Sequence, residues 1–280
     1  MTSAQRERAL PATRAEPGTT RRRSIPWRSV AGVLLPVLVI AVLIVGWEIG
    51  VRIAGTPRWF LPKPSDIVRE MIESRALLWR HTVTTLQEML VGLALAFVLG
   101  ITLAIAIVGS RLVERAVYPL VIASQAVPII ALAPILLVWF GYGLTPKVIV
   151  VVLTCFFPIV VATVGGLRAV DSDAVALLRS MGASRWQLMR IVRLPSALPA
   201  LLAGTRIAAA WSVIGAIVGE WVGASAGLGY LMTRSASQFQ TPRLYAAVTI
   251  AALLGIALFA LVSLIERLVL PWQTHARRGD

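Results

Sequence analysis

Residues Gly223-Ala224-Ser225-Ala226-Gly227 fit the Gly-x-Ser-x-Gly pattern of a serine nucleophile elbow, and Glu266 and His275 follow in the order of an acid and a base. The chemistry would be acyl transfer, with the base taking the hydroxyl proton as serine attacks a carbonyl. An elbow needs a strand before its serine and a helix after it. Here an apolar helical run ends and a loop begins, so the pattern predicts no working nucleophile. Other chemistries lack their residues. Lys63 and Lys147 are the only lysines, and neither follows a glycine, so no phosphate-cradling Gly-x-x-x-x-Gly-Lys-Ser/Thr loop exists. Gly141-x-Gly143 and Gly227-x-Gly229 lack the third glycine of a dinucleotide site. His81 and His275 are too far apart for a His-Glu-x-x-His zinc pair, and Cys155 stands alone, which leaves no disulfide framework and no Cys-rich metal site. The expectation is a chain with no catalytic residue, metal or cofactor of its own.

The elements around these residues explain why. Of 280 residues, 58% are hydrophobic and 14% charged, with mean hydropathy +0.80, against about 25% charged in a soluble domain. Uncharged runs extend from Ser29 to Trp47, Met89 to Ser110, Ala116 to Pro146, Val148 to Leu167 and Leu244 to Ile265. A sixth apolar stretch, Pro199 to Trp221, is interrupted only by Arg206 and Glu220. About 20 apolar residues cross a bilayer as helix, and none of these runs alternates as barrel strands would. The reading is an all-α polytopic membrane protein with six transmembrane helices. The 116 to 146 run is too long for one span, and Pro119, Pro128 and Pro134 predict a kinked helix from about Val117 to Phe140.

The formal charge of +14 would suggest nucleic acid in a soluble protein, but its distribution fits a membrane. With the N-terminus cytoplasmic, inside segments hold 17 of the 27 Lys and Arg residues and outside segments hold nine, which predicts an N-in, C-in topology. Residues 1–28, rich in Arg and Pro, read as a disordered basic cytoplasmic tail that meets anionic lipid; 271–280 read as a short second tail. Arg21-Arg22-Arg23 resembles a twin-arginine signal, but the run after it is too long and lacks an Ala-x-Ala site, so an uncleaved first helix is expected.

Between spans one and two, Ser65 or Asp66 is expected to cap a short interfacial helix carrying Ile67, Val68, Met71 and Ile72. Gly92, Ala96, Gly100 and Ala104 in span two, and Gly215, Gly219 and Gly223 in span five, form small-residue stripes suited to close helix packing. The connection at about 168–198 is too polar for lipid and too long for a tight turn. Asp171 or Ser172 can cap a helix whose apolar positions Ala174, Leu177, Leu178 and Met181 follow i, i+3, i+4, i+7, and Gly182 ends or bends it. A second short helix carries Leu188, Ile191 and Val192 with Arg185, Arg190 and Arg193. Such a pair can present an apolar ridge to a partner's groove.

Gly182, ten residues to Val192, then Leu194-Pro195 resembles the "EAA loop" of binding-protein-dependent ABC importer permeases. Met181 to Gln187 and Arg193 to Pro199 look like the nitrate/sulfonate/taurine-type branch. The Glu-Ala-Ala triplet is not kept; Ala176, Leu177 and Leu178 stand there. Phe60 to Pro64, Trp139 to Gly143, and Gly219-Glu220-Trp221 with Gly227 to Gly229 fall in the family's order, and Gln125 to Pro128 with Phe140 to Pro146 is most similar to permeases for thiamine-precursor pyrimidines or riboflavin.

The resemblance implies the permease subunit of an ATP-driven importer in a bacterial plasma (inner) membrane, moving a small nutrient: a pyrimidine, riboflavin, or a sulfonate-, nitrate- or taurine-like anion. It implies a permease homodimer, ATP-binding cassette ATPase subunits that hold ATP and magnesium, and an extracytoplasmic solute-binding protein. Ala174, Leu177, Leu178, Met181, Gly182, Arg185, Leu194 and Pro195 are then the expected ATPase-coupling residues. Gln125, Trp211 and Ser212 at membrane depth are candidates for the translocation path or for helix-to-helix hydrogen bonds. Pro128 joins the path candidates because a proline frees a carbonyl that a cavity can satisfy. Glu220 at the outer end is a path candidate that contacts the binding protein or braces the mouth, and Arg206 either snorkels or gates. A self-contained secondary carrier is the rival reading, although neither an inverted repeat nor a midplane carboxylate is visible.

Overall fold

A computed structural model describes the backbone from Trp27 to Pro271 and the side chains from Leu34. The basic N-terminal tail up to Pro26, residues 272–280 and the candidate base His275 lie outside the described residues. The chain separates into two units at Gly46/Trp47. The described part of the first is the opening stretch of helix α1, Trp27–Ile53.

The second unit carries α2 (Pro64–Glu73), α3 (Arg75–Gly109), α4 (Arg111–Ala123), α5 (Ile129–Phe140) and α6 (Leu144–Arg168). It continues with α7 (Ser172–Ser180), α8 (Arg185–Leu188), α9 (Leu194–Trp221), α10 (Leu228–Ser237) and α11 (Thr241–Val269). No strand occurs among the described residues. Among the described residues five helices are long and apolar enough to cross a membrane; α8 runs into α9 through a π-helical turn, Met189–Arg193, as one 37-residue rod.

The expected kinked span from Val117 to Phe140 is instead two helices, bent by 103° where Ala126 gives way to Ile129. Proline disfavours helical backbone in the residue before it. Val127 accordingly sits at φ −82°, ψ 118°, and Pro128 itself at φ −66°, ψ 111°. Two consecutive extended residues turn the chain. Pro119 and Pro134 lie inside helices and break neither.

Helix α6 is the centre of the unit, packed against α9 and α3. Met89, Val151, Cys155, Ile159, Ala208 and Leu258 join α3, α6, α9 and α11 in one core. Its Cys155 thiol donates to the Ala208 carbonyl at 3.3 Å. Close helix approach follows from small residues, because lipid gives little hydrophobic drive for association and packing must supply it. Ala96 and Ala104 are fully buried, and Gly92 and Gly100 face Val151 and Ile159. Gly215 and Gly219 press against α6 likewise, whereas Gly223 lies beyond the end of α9 and takes no part in the stripe.

At Gly204 the neighbour is backbone that cannot swing aside: an added Cβ would lie 2.6 Å from both the Pro158 carbonyl oxygen and the Ala162 methyl. Gly204→Val should therefore cost about 1–3 kcal/mol through overpacking. A matching fall in the yield of monodisperse protein on size-exclusion chromatography is expected. Gly109→Ala, with open space at its Cβ, should leave the yield unchanged.

Helix α2 is capped differently from expectation. Lys63 is its N-cap and Pro64 its first residue, and Ser65 donates through both its N–H and its hydroxyl to the Glu48 carboxylate. Arg206 pairs with Glu266 at 3.1 Å and lies over the Phe259 ring, 5.3 Å from its centroid. An internal ion pair, read from neither residue alone, holds it.

Candidate coupling segment and translocation groove

The 169–193 connection folds as the capping chemistry dictates. The Asp171 carboxylate accepts the Asp173 N–H at 2.9 Å and starts α7. The other end closes through two bonds: the Gly182 N–H to the Arg179 carbonyl and the Ala183 N–H to the Leu178 carbonyl, each 3.0 Å. This is a Schellman motif, and it needs Gly182 at φ +84°. The next turn opens on a reciprocal capping box, with the Ser184 hydroxyl accepting the Gln187 N–H and the Gln187 amide oxygen accepting the Ser184 N–H. Two rigid stops thus fix a short helix pair at one end of the spans.

The expected ridge divides by exposure. Leu177 and Met181 are 62% and 74% exposed, and Trp186 on α8 is 64% exposed. Ala174 and Leu178 are half-buried, Arg185 and Pro195 are exposed, and Leu194 is half-buried where the rod begins. Leu188 is buried, but Ile191 is exposed, so the apolar side expected of the second helix is not one face. Three large apolar side chains stand clear of the fold at a place too polar for lipid.

A cavity of about 460 Å³ opens between α5, α6 and α9. Three of the five candidate path residues line it: Gln125, Pro128 and Trp211. Ser124, Thr154 and Phe156 complete its polar and aromatic wall. The break before α5 makes this space, since an unbroken helix would leave Gln125 within a rod. Ser212 and Glu220 lie elsewhere. The Ser212 hydroxyl is fully buried and donates to the Ala209 carbonyl of its own helix.

Glu220 belongs to a buried polar knot at the opposite end of the spans from α7 and α8. Its carboxylate accepts the Thr85 hydroxyl at 2.6 Å and also the Gly229 N–H. Thr85 in turn accepts the Leu228 N–H at 2.8 Å, and the His81 Nδ1 accepts the Gly227 N–H at 3.0 Å. Side chains of α3 and α9 thereby satisfy the first N–H groups of α10, where a carboxylate is favoured by the helix dipole. Gly227, at φ +117°, is required because a Cβ there would collide with the Glu220 carboxylate. Beside the knot, Lys147 Nζ donates to Glu88 Oε1 at 2.7 Å, with Glu88 fully buried.

The serine pattern resolves on the same loop. Gly223 to Gly227 joins two helices, Ser225 is exposed, and the imidazole Nδ1 of His81 is occupied by the Gly227 N–H. No hydrogen bond joins Ser225 to His81 among the described residues. The loop is a helix connection braced by Glu220.

A broken apolar span, a groove inside an all-helical bundle and a capped, exposed helix pair define a membrane transport component. Residues 96–275 match the family described as binding-protein-dependent transport system inner membrane component, and the chain belongs to that family. It is 46% identical over 241 residues to the formylaminopyrimidine transport permease protein ThiX of Halalkalibacterium halodurans, covering 86% of this chain and 96% of that one. It is 37% identical over 269 residues to the riboflavin transport system permease protein RibX of Chloroflexus aurantiacus, covering 95% and 99%. An inward-facing structure of the MetNI methionine ABC transporter aligns with TM-score 0.63 over 70% of this chain and 98% of that one; at 23% identity it speaks to the fold alone.

Proposed function

We propose that this permease works as a homodimer, driven by separate ATPase subunits docked on the 174–194 segment, and imports a neutral planar heterocycle delivered by a solute-binding protein. In this reading the chain is N-in and C-in, and the coupling segment is cytoplasmic. The observation that carries the solute class is the groove wall: Gln125, Trp211, Thr154, Ser124 and Phe156, with no charged side chain among its lining residues. A sulfonate or nitrate leaving water would need a paired cation, because burying an unpaired charge costs several kcal/mol, roughly. A flat ring needs only aromatic faces and a few hydrogen-bonding groups. The relatives named for formylaminopyrimidine and riboflavin support the same class.

The groove also supports the homodimer. Gln125, Val127 and Pro128 of its wall are exposed in the single chain. Left to lipid, Gln125 would face hydrocarbon; a second copy seals the groove, and two-fold symmetry presents the same uncharged wall twice.

Uptake of labelled formylaminopyrimidine by cells carrying the complete transporter tests the reading. Trp211→Ala is expected to lower the rate about tenfold through loss of stacking. A hundredfold excess of taurine should leave wild-type uptake unchanged. Competition by taurine, or a Trp211→Ala rate equal to wild type, would rule out the heterocycle groove.

A further inference from the structure

At the coupling end of the spans a second cavity, of about 340 Å³, has a composition unlike the groove. Three arginines line it: Arg168 at the end of α6, Arg179 on α7 and Arg193 on the π-helical turn. Arg168 is partly committed, bonded to Glu114 at 2.6 Å and lying 5.0 Å over the Tyr118 ring. Arg179 and Arg193 have no carboxylate partner among the described residues, and the Arg193 Nε is buried with no hydrogen-bond acceptor. The nearby acids are used or turned away: Asp171 caps α7, and neither Asp171 nor Asp173 lines the cavity. An orphaned guanidinium nitrogen beside two further guanidiniums is a site short of an anion.

The remaining walls identify the kind of anion. Val108 and Leu167 come from the last turns of α3 and α6, and Val175 from α7, so apolar span ends meet the arginines in one pocket. Ser172 adds a hydroxyl. A guanidinium cluster over an apolar neck suits an amphiphile whose phosphate lies at the membrane surface. A partner protein is disfavoured by helix geometry. Ser172, Val175, Ala176 and Arg179 face the cavity, and the ridge Ala174, Leu177, Leu178 and Met181 is the same spacing shifted by two residues, about 200° around the helix.

We propose that this pocket binds a phosphate group, that of an anionic glycerophospholipid, and clasps α7 to the ends of α3 and α6. The placement at the cytoplasmic leaflet rests on the permease reading above. Lipid occupancy then stiffens the coupling helix on the side opposite its docking ridge.

Native mass spectrometry of the full chain in mild detergent, titrated with phosphatidylglycerol or phosphatidylcholine, tests this without requiring that an ATPase dock. Wild type is expected to retain phosphatidylglycerol preferentially. Arg179→Gln with Arg193→Gln should lower that retention at least tenfold, leaving phosphatidylcholine unchanged. Arg179→Gln alone, at an exposed position, should give a partial loss in protein that remains monodisperse. Arg193→Lys should restore part of the binding, and Arg190→Gln, an exposed arginine outside the cavity, should change nothing. Equal retention by wild type and the double variant would overturn the proposal. Glycerol 1-phosphate competing as well as the lipid would overturn the lipid assignment in favour of a soluble phosphate ester.

Discussion

Leu177→Asp is expected to abolish co-purification of the ATPase with the tagged permease while leaving the permease folded. The side chain is 62% exposed, so the substitution places a carboxylate in water in the free chain and in an apolar contact in the complex. Central apolar anchors of an interface are worth about 2 kcal/mol or more, roughly a thirtyfold loss of affinity, and a buried unpaired charge adds to it. Leu178→Asp is the less discriminating change, since Leu178 is half-buried against the fold and its loss would confound misfolding with undocking. Pull-down from detergent followed by an ATPase assay checks the outcome. Wild-type recovery of the ATPase with Leu177→Asp would place the docking surface elsewhere.

Lys147→Met should be the most damaging single change in the far half of the spans. Among the described residues Lys147 is the only cation bonded to Glu88, whose second oxygen is buried without a donor. Removing the ammonium leaves a carboxylate uncompensated in the bundle, at about 3–5 kcal/mol, whereas replacing both partners with neutral side chains is often near neutral. The expected result is a large drop in the temperature at which Lys147→Met loses its monodisperse peak, with most of it regained by Glu88→Gln in the same chain. A single variant as heat-stable as wild type would show that the pair contributes nothing.

Much of this architecture was legible because lipid imposes simple rules. Uncharged runs of bilayer length located the spans, and Asp171 and Gly182 delimited α7 because a cap and a left-handed glycine are local chemistry. The cavity wall is a three-dimensional property. Polarity, kinking and amphipathic character at membrane depth single out Gln125, Pro128, Trp211 and Ser212 alike; only the packed chain separates the first three, which line one cavity, from Ser212, bonded within its own helix, and from Glu220, bonded to Thr85 at the far end of the spans.

What sequence could not supply was pairing across distance. Glu88 and Lys147 marked the borders of uncharged runs, and nothing in one dimension says that residues 59 apart meet. Arg206 and Glu266, 60 apart, were hidden in the same way. The 103° turn at Pro128 exceeds a proline kink: the proline accounts for extended backbone at Val127, but the extended ψ of Pro128 itself is a property of the packed chain.

The most direct measurement is solute accumulation in proteoliposomes containing the purified permease and ATPase, with solute-binding protein and labelled formylaminopyrimidine on one side and ATP on the other. Accumulation that requires ATP and disappears with Leu177→Asp is the predicted result. Accumulation by the permease alone, driven by an ion gradient without ATP, would contradict the account and identify a self-contained carrier.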